Sequence, residues 1–219
     1  PFMPQWDFLN LLADEGRRHP GFRLMMNAEA TGLIEEDGRV AGVRASTEQG
    51  RLEVRAQLVV AADGRHSTLR REAGLSVVQL GAPMDVLWFS LPRRADDPPT
   101  PLGRFGNGRI FIMLNRGDYW QCGFVIRKGS IDEVHAHGLE RFRAEVAKAA
   151  PLLGDRVAEL RDWEQVKQLT VAVDRMPRWY RGGLLFIGDA AHAMSPIGGV
   201  GINLAIQDAI AAGNILAGP

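Results

Sequence analysis

The chain of 219 residues carries 26 basic and 26 acidic side chains, so its formal net charge is zero. This balance argues against nucleic acid or an anionic membrane surface as a partner, and the length is sufficient to bury a sizeable core in one or two domains. A single cysteine, Cys122, excludes an internal disulfide, and together with the lack of a signal peptide or a long apolar run it predicts a cytoplasmic protein without a membrane span.

The first part of the chain is predicted to be a helix followed by a small antiparallel sheet. Apolar residues recur at helical spacing over 5–18. The segments 31–34 and 40–45 flank Asp37-Gly38, which is a strong β-hairpin signal, and 51–55 supplies a third strand.

A strand, a turn and a short helix follow over 58–74. The apolar run 58–62 predicts the strand, and Asp63-Gly64 is a turn dipeptide directly after it. Ser67 is placed to cap the helix and Gly74 to end it. By itself this pattern predicts no more than a joint between a strand and a helix.

The middle of the chain is predicted to form one antiparallel sheet with a helix packed on it. The proline-rich segment 92–101 links two of its strands, and the helix spans 138–149, where apolar residues follow a helical period. The predicted strands are 86–91, 109–114, 119–126 and 166–173.

The segment 184–203 is the most informative part of the chain. Its apolar run predicts a buried central strand that ends at Gly188-Asp189, and a glycine-rich loop then opens a helix. The glycines allow the backbone to approach a flat ligand, and the helix directs its positive end back at the loop. Asp189 follows the carboxyl end of a strand, where open α/β sheets place ligand-binding groups.

Together these segments resemble the FAD-dependent aromatic hydroxylases, the para-hydroxybenzoate hydroxylase-like class of single-component flavoprotein monooxygenases. The string Gly188-Asp189-Ala-Ala-His192, with Pro196 and Gly201-Ile-Asn203 after it, resembles the second flavin-binding motif of that family. Asp63-Gly64 resembles the family's Asp-Gly motif, which contacts both FAD and the nicotinamide nucleotide. The two motifs also follow one another in the order of the family.

The resemblance implies a mixed α/β fold in which a partial FAD-binding domain of the glutathione-reductase/para-hydroxybenzoate hydroxylase type is joined to an antiparallel-sheet substrate domain. We expect the FAD-binding part over 1–80, the substrate domain over 81–176 and a return to the FAD-binding domain over 177–219. No G-x-G-x-x-G fingerprint follows a strand. We therefore expect an internal fragment without the adenosine-binding βαβ unit, in which FAD is held only in part and exposed surface favours self-association.

The resemblance also carries the family's cofactor contacts onto this sequence. Pro196 is expected to present its backbone carbonyl near the reactive edge of the flavin. Gln5 matches a cofactor contact, and His66 and Arg70 match contacts to NAD(P)H; the alternative for each of these three is an ordinary solvated helix residue. The expected FAD contacts are Asp63, Gly64, Gly188, Asp189, Ala190, Pro196, Gly198, Gly199, Gly201, Ile202 and Asn203.

The activity that the resemblance implies is hydroxylation of an aromatic or related apolar small molecule with O₂, through a flavin C4a-hydroperoxide formed after NAD(P)H reduces FAD. A halogenase or a prenyl-lipid reductase is the alternative enzyme, although the sequence Trp88-Phe-Ser-Leu-Pro departs from the W-x-W-x-I-P string of halogenases. A catalytically silent fragment that does not retain FAD is the other alternative. Five large side chains of the middle sheet line either the substrate pocket or the core: Trp88, Phe111, Met113, Trp120 and Phe124.

Other tempting features are interpreted as structural. His135-Ala-His137 is expected in a loop before a helix, and because no third ligand accompanies it we predict no metal site. Asp96-Asp97 and Glu35-Glu36 are expected to be solvated charges in loops or turns. His192 is expected to order its loop by hydrogen bonding.

Overall fold

The computed structural model describes residues 5–106, 109–196 and 199–218. The chain separates into two compact units. The first comprises the chain up to Leu80 and again from Val173 onward, and the second spans Gly81–Ala172.

The first unit begins with a helix and a three-stranded sheet. Asp37 and Gly38 have positive φ angles of 48° and 75°, as a tight hairpin turn requires, so the predicted hairpin is confirmed. The elements are α1 (Gln5–Arg17), β1 (Glu29–Glu36), β2 (Arg39–Thr47) and β3 (Gly50–Arg55), and the strands pair antiparallel in the order β1-β2-β3.

The predicted strand and short helix after this sheet are also confirmed. Ser67 caps the helix, since its hydroxyl accepts a hydrogen bond from the Arg70 N–H at 2.9 Å, and Gly74 follows its end with a φ of +67°. These elements are β4 (Val59–Ala61) and α2 (Thr68–Glu72), followed by β5 (Val78–Gln79).

The second unit is an antiparallel sheet with helices on one face. The elements are β6 (Met84–Pro92), β7 (Leu102–Gly106), β8 (Arg109–Asn115), β9 (Tyr119–Arg127), α3 (Ile131–Ala136), α4 (Leu139–Ala149) and β10 (Lys167–Leu169). The strands lie in the order β10-β6-β9-β8-β7.

The chain then returns to the first unit. The elements there are β11 (Asp174–Arg175), β12 (Tyr180–Arg181), β13 (Leu184–Phe186) and α5 (Gly201–Ala217). β13 lies between β12, which is antiparallel to it, and β4, which is parallel to it. The predicted central strand and the helix after it are therefore confirmed, and with them the mixed α/β fold.

Alternation along the strands of the second unit decides which large side chains form its core. Phe111, Met113, Trp120 and Phe124 are buried on the helix-covered face, where the Phe124 ring lies 5.5 Å from the ring of Phe142 on α4. Trp88 alternates with the buried residues of β6 and packs over Gly123 on the opposite face. These four residues therefore belong to the core and not to a substrate pocket. Trp88 lies on the other face of the sheet.

One expectation about the strands of the second unit is wrong, and one strand was missed. The strand expected over 166–173 is limited to β10, because the N–H of Val171 donates to the buried Asp85 carboxylate at 2.9 Å instead of to a neighbouring strand. β7 was not predicted; two of its five residues are glycines, which weaken any strand pattern.

Two expectations about polar residues are also wrong. His135 lies within α3 and not in a loop, with its ring centroid 4.4 Å from that of Trp163. Asp97 is not solvated but only 5% exposed, since its carboxylate accepts hydrogen bonds from Arg156 and Trp120.

Among the residues that the structure describes, no helix is both long enough and apolar enough to cross a membrane.

Candidate functional site

Two acidic turns lie side by side at one edge of the first unit. β4 and β13 are parallel neighbours with Ala61 opposite Phe186, so their carboxyl ends meet at the same edge. Asp63 follows the first strand and Asp189 the second, the latter in a single 3₁₀ turn. This edge is where α/β sheets bind ligands.

The Asp63 turn is held by its own polar groups. Gly64 adopts a φ of +80°, which reverses the chain toward α2. The Asp63 Oδ2 atom accepts the N–H of Leu69 at 3.0 Å, so this carboxylate and the Ser67 hydroxyl together cap the short helix.

Two arginines connect the Asp63 turn to the Asp189 turn. Arg65 Nη2 lies 3.2 Å from Asp189 Oδ2, and Arg70 donates to the carbonyl of Ala190 at 2.6 Å and to that of Arg65 at 2.7 Å. Arg65 was missed by the sequence reasoning, because a basic residue in a turn carries no signal of a partner more than a hundred positions away. The arginines fix the two turns relative to each other.

The Asp189 turn is packed directly against α5. Gly188 has a φ of +57°, and a Cβ built on it would lie 3.1 Å from the Cβ of Ala205. His192 Nε2 lies 2.6 Å from Asp208 Oδ2 on the same helix, so His192 does order this loop by hydrogen bonding, as predicted. Asp208 was also missed, because an acidic residue in a helix is ordinarily solvated.

The start of α5 presents a helix N-terminus without a side-chain cap. Gly199, with a φ of +62°, donates its N–H to the Pro196 carbonyl at 3.0 Å, and α5 begins two residues later. Within the described part of the chain, no acidic side chain lies in the first turn of α5 and the N-cap residue makes no side-chain hydrogen bond to it. A helix start of this kind stabilises negative charge placed before it.

The structure brings most of the predicted site residues into these turns and leaves a few apart. Ile202 and Asn203 lie in the first turn of α5, while Gly198 lies outside the described residues. His66 is exposed beside the Asp63 turn, and Arg70 points inward to the carbonyls named above. Gln5 is the exposed first residue of α1, and within the described residues no hydrogen bond joins its side chain to the turns.

This arrangement fits the ring and ribitol portions of a flavin. The Asp189 side chain is 34% exposed and offers carboxylate oxygens as acceptors, which hydroxyl groups of a polyol require. The uncapped start of α5 suits the end of a ring that gains negative charge on reduction. The residues present therefore fit the cofactor that the resemblance implies.

A family model described as an FAD binding domain matches residues 2–219. The chain belongs to the FAD binding domain family. FAD is accordingly the cofactor of this domain, and the resemblance to the FAD-dependent aromatic hydroxylases is confirmed.

Two curated relatives of this FAD binding domain are similar to nearly all of it. The 6-methylpretetramide 4-monooxygenase of Streptomyces rimosus is 36% identical over 216 residues, which is 98% of this chain and 51% of the relative. The digeranylgeranylglycerophospholipid reductase of Methanocella arvoryzae is 28% identical over 202 residues, or 90% of this chain and 50% of the relative. The chain thus spans about half the length of these relatives.

A solved structure shares the fold of this FAD binding domain. The OxyS anhydrotetracycline hydroxylase from Streptomyces rimosus superimposes with a TM-score of 0.71 at 23% identity, covering 95% of this chain and 41% of that one. At this identity the likeness concerns the fold alone.

Proposed function

We propose that the chain forms the flavin-ring and ribitol site, together with the substrate sheet, of an NAD(P)H-consuming monooxygenase that hydroxylates an aromatic or related apolar molecule. The observation that carries this proposal is the pair of acidic turns on parallel strands β4 and β13, which Arg65 joins and of which the Asp189 turn packs against α5. The 36% identity to a monooxygenase of 6-methylpretetramide supports the reaction type.

Each part of the site has a role in this proposal. Asp189 accepts hydrogen bonds from the ribitol hydroxyls, and Asp63 and Gly64 border the same edge. The N–H groups of Gly201, Ile202 and Asn203, at the start of α5, would stabilise the negative charge of the reduced ring. The carbonyl of Pro196, which also accepts the Gly199 N–H, would lie near the reactive edge of a bound flavin and orient the substrate there. Bound FAD supplies the electron transfer and the activation of O₂.

The open face of the second unit's sheet supports an aromatic substrate. Trp88, Ile112 and Val125 alternate with the core residues of β6, β8 and β9, and all three are half-buried on the face opposite the helices. A flat apolar surface of this kind binds an aromatic ring by burial of apolar area. We propose that the substrate is an aromatic molecule related to 6-methylpretetramide, as the name of the 36% identical relative suggests.

The proposal for the nicotinamide nucleotide centres on the Asp63 turn. His66 is exposed there and available to a phosphate or ribose group. Arg70 adds positive charge while its guanidinium donates to the carbonyls of Ala190 and Arg65.

The test is a comparison of riboflavin and FAD binding by flavin fluorescence and visible absorption. Riboflavin lacks the adenine and the phosphates, so a chain that contacts only the ring and ribitol binds both flavins with similar affinity. Asp189→Ala is expected to weaken both by at least about tenfold, the effect of losing a hydrogen bond to a charged group. The exposed Asp118, in a turn of the second unit, provides the matched control Asp118→Ala.

Failure of both flavins to bind, or equal binding by wild type and Asp189→Ala, would overturn this site. Once a flavin is bound, NAD(P)H consumption coupled to O₂ uptake is measured with 6-methylpretetramide and with anhydrotetracycline. Reduction of a geranylgeranyl lipid in the absence of O₂ would instead favour a reductase, which is the activity named for the second relative.

A further inference from the structure

A single carboxylate oxygen of α5 holds two groups of the Asp189 turn. Asp208 Oδ2 accepts the N–H of Gly188 at 2.8 Å and lies 2.6 Å from His192 Nε2. The side chains of Asp208 and His192 are only 17% and 16% exposed. Hydrogen bonds to an ionised acceptor in such partly buried surroundings are stronger than those between neutral groups.

The chemistry of this contact assigns the donor role to the Nε2 atom of His192. An ionised carboxylate only accepts hydrogen bonds, so the proton of the short contact belongs to His192 Nε2. The imidazole is also held on its face, with its centroid 4.8 Å from that of the Trp179 ring. The Trp179 indole N–H in turn donates to the Met176 carbonyl at 3.1 Å. His192 is therefore held both at its edge and at its face.

Asp208 and Ala205 lie three residues apart and so share one face of α5. Ala205 is the residue that meets Gly188, where a Cβ would lie 3.1 Å from the Ala205 Cβ. One face of the helix thus fixes the turn before Asp189 by close packing, through Ala205, and by two hydrogen bonds, through Asp208. The start of the same helix carries the N–H groups that the proposed function assigns to the flavin ring.

We propose that Asp208 is a positioning residue of the flavin site, which holds the start of α5 and the Asp189 turn in one geometry through Gly188 and His192. This proposal rests on the proposed flavin contacts of Asp189 and α5. In this proposal Asp208 itself contacts no atom of the cofactor. Its effect is exerted through the Gly188 amide and the His192 imidazole, whose loss allows the helix start to move relative to Asp189.

The primary variant is Asp208→Asn, which keeps the size of the side chain and removes its charge. Three readouts are measured: hydrogen exchange of the Gly188 amide and the first turn of α5, the ¹⁵N signals of the His192 ring, and riboflavin and FAD affinity. In Asp208→Asn the neutral amide oxygen is a weaker acceptor than the carboxylate, so we expect exchange about tenfold faster, a shifted Nε2–H signal, and flavin binding weakened by about tenfold. Asp118→Asn, at the exposed turn used above, is the matched control and leaves all three unchanged.

A second variant keeps the proposal testable if Asp208→Asn does not fold. His192→Gln removes the imidazole and retains the Gly188 contact, so we expect an intermediate increase in exchange. The same variant assigns the His192 signals among the five histidines.

The outcomes separate this proposal from the proposed function. Unchanged exchange at Gly188 and the start of α5 in Asp208→Asn overturns the positioning role, whether or not flavin binds. Flavin affinity within twofold of wild type in Asp208→Asn overturns it as well. A wild type that takes up no flavin overturns the proposed function, while the exchange and ¹⁵N measurements still decide whether Asp208 holds the turn.

Discussion

The carboxylate of Asp97 joins separate segments of the second unit at the scale of single residues. It accepts the indole N–H of Trp120 at 2.8 Å, the N–H of Arg94 at 3.0 Å, and the guanidinium of Arg156, whose Nη2 lies 3.0 Å from its Oδ1 atom. The Arg156 guanidinium is the main reason that the pKa of Asp97 lies well below its usual range, although burial opposes this shift. The loop 92–101 is thereby tied to the sheet.

We predict that Asp97→Asn lowers the free energy of unfolding at neutral pH by about 3–5 kcal/mol, because it leaves Arg156 as a buried charge without its partner. A carboxyl group whose pKa is lower in the folded state stabilises the fold above its unfolded pKa of about 3.9. That contribution is lost as the pH falls through the folded pKa, so wild type loses more stability in acid than the variant does. Urea unfolding at neutral and acidic pH measures both effects.

The neighbouring Asp96 provides the control for this prediction, because its side chain is exposed. Asp96→Asn is expected to change stability by less than about 0.5 kcal/mol, as surface substitutions do. An Asp97→Asn variant as stable as Asp96→Asn would show that the pair does not stabilise the second unit.

At the scale of elements, the turn between β12 and β13 joins the two sheets of the first unit. Val40 on β2 donates its N–H to the Gly182 carbonyl at 2.8 Å, and Val59 on β4 donates to the Gly183 carbonyl at 2.9 Å. Gly183 has a φ of +77°, and a Cβ there would overlap the Val40 carbonyl oxygen at 1.9 Å. A side chain at position 183 is therefore excluded both by the positive φ and by the overlap with the Val40 carbonyl.

We predict that Gly183→Ala destabilises the chain by about 2–4 kcal/mol, the sum of a strained backbone and a steric overlap in packed surroundings. Gly38→Ala separates the two causes, because Gly38 has a similar φ of +75° but open space around its Cβ position. It should cost only about 1–2 kcal/mol. Equal losses in the two variants, measured by thermal or urea unfolding, would mean that the contact with Val40 contributes nothing.

At the scale of the whole molecule, the two long helices of the first unit leave apolar surface uncovered. No residue of the described helices α1 and α5 is buried. Trp6 is 75% exposed and Ile215 is 78% exposed, and Leu12, Ile210 and Leu216 are each more than half exposed. Exposed apolar surface of this extent favours association.

We propose that the chain self-associates through this surface, and we predict that Ile215→Glu shifts it toward the monomer. Sedimentation velocity over a range of concentrations measures the effect. Val54→Glu is the control, since Val54 is an exposed apolar residue of β3 outside the two helices. A wild type that remains strictly monomeric at high concentration would contradict the proposal.

The local elements around the site were predictable because their signals are local. An apolar run followed by Asp63-Gly64 or by Gly188-Asp189 indicates a strand that ends in a turn, and Ser67 and Gly74 mark the helix after the first of these turns. The strand expected up to residue 173 was wrong because the Asp85 carboxylate takes the N–H of Val171, and no periodicity records such a competitor.

The sequence by itself therefore determined the two acidic turns, the glycine-rich approach to α5, and membership of the FAD binding domain family, since each depends on neighbouring residues or on a motif. The tertiary structure decided which charged side chains meet. Arg65 with Asp189, Asp208 with His192 and Arg156 with Asp97 are pairs brought together by strand pairing and helix packing. A charged residue in a sequence looks the same whether it faces water or a partner, and only the fold removes the water from around it.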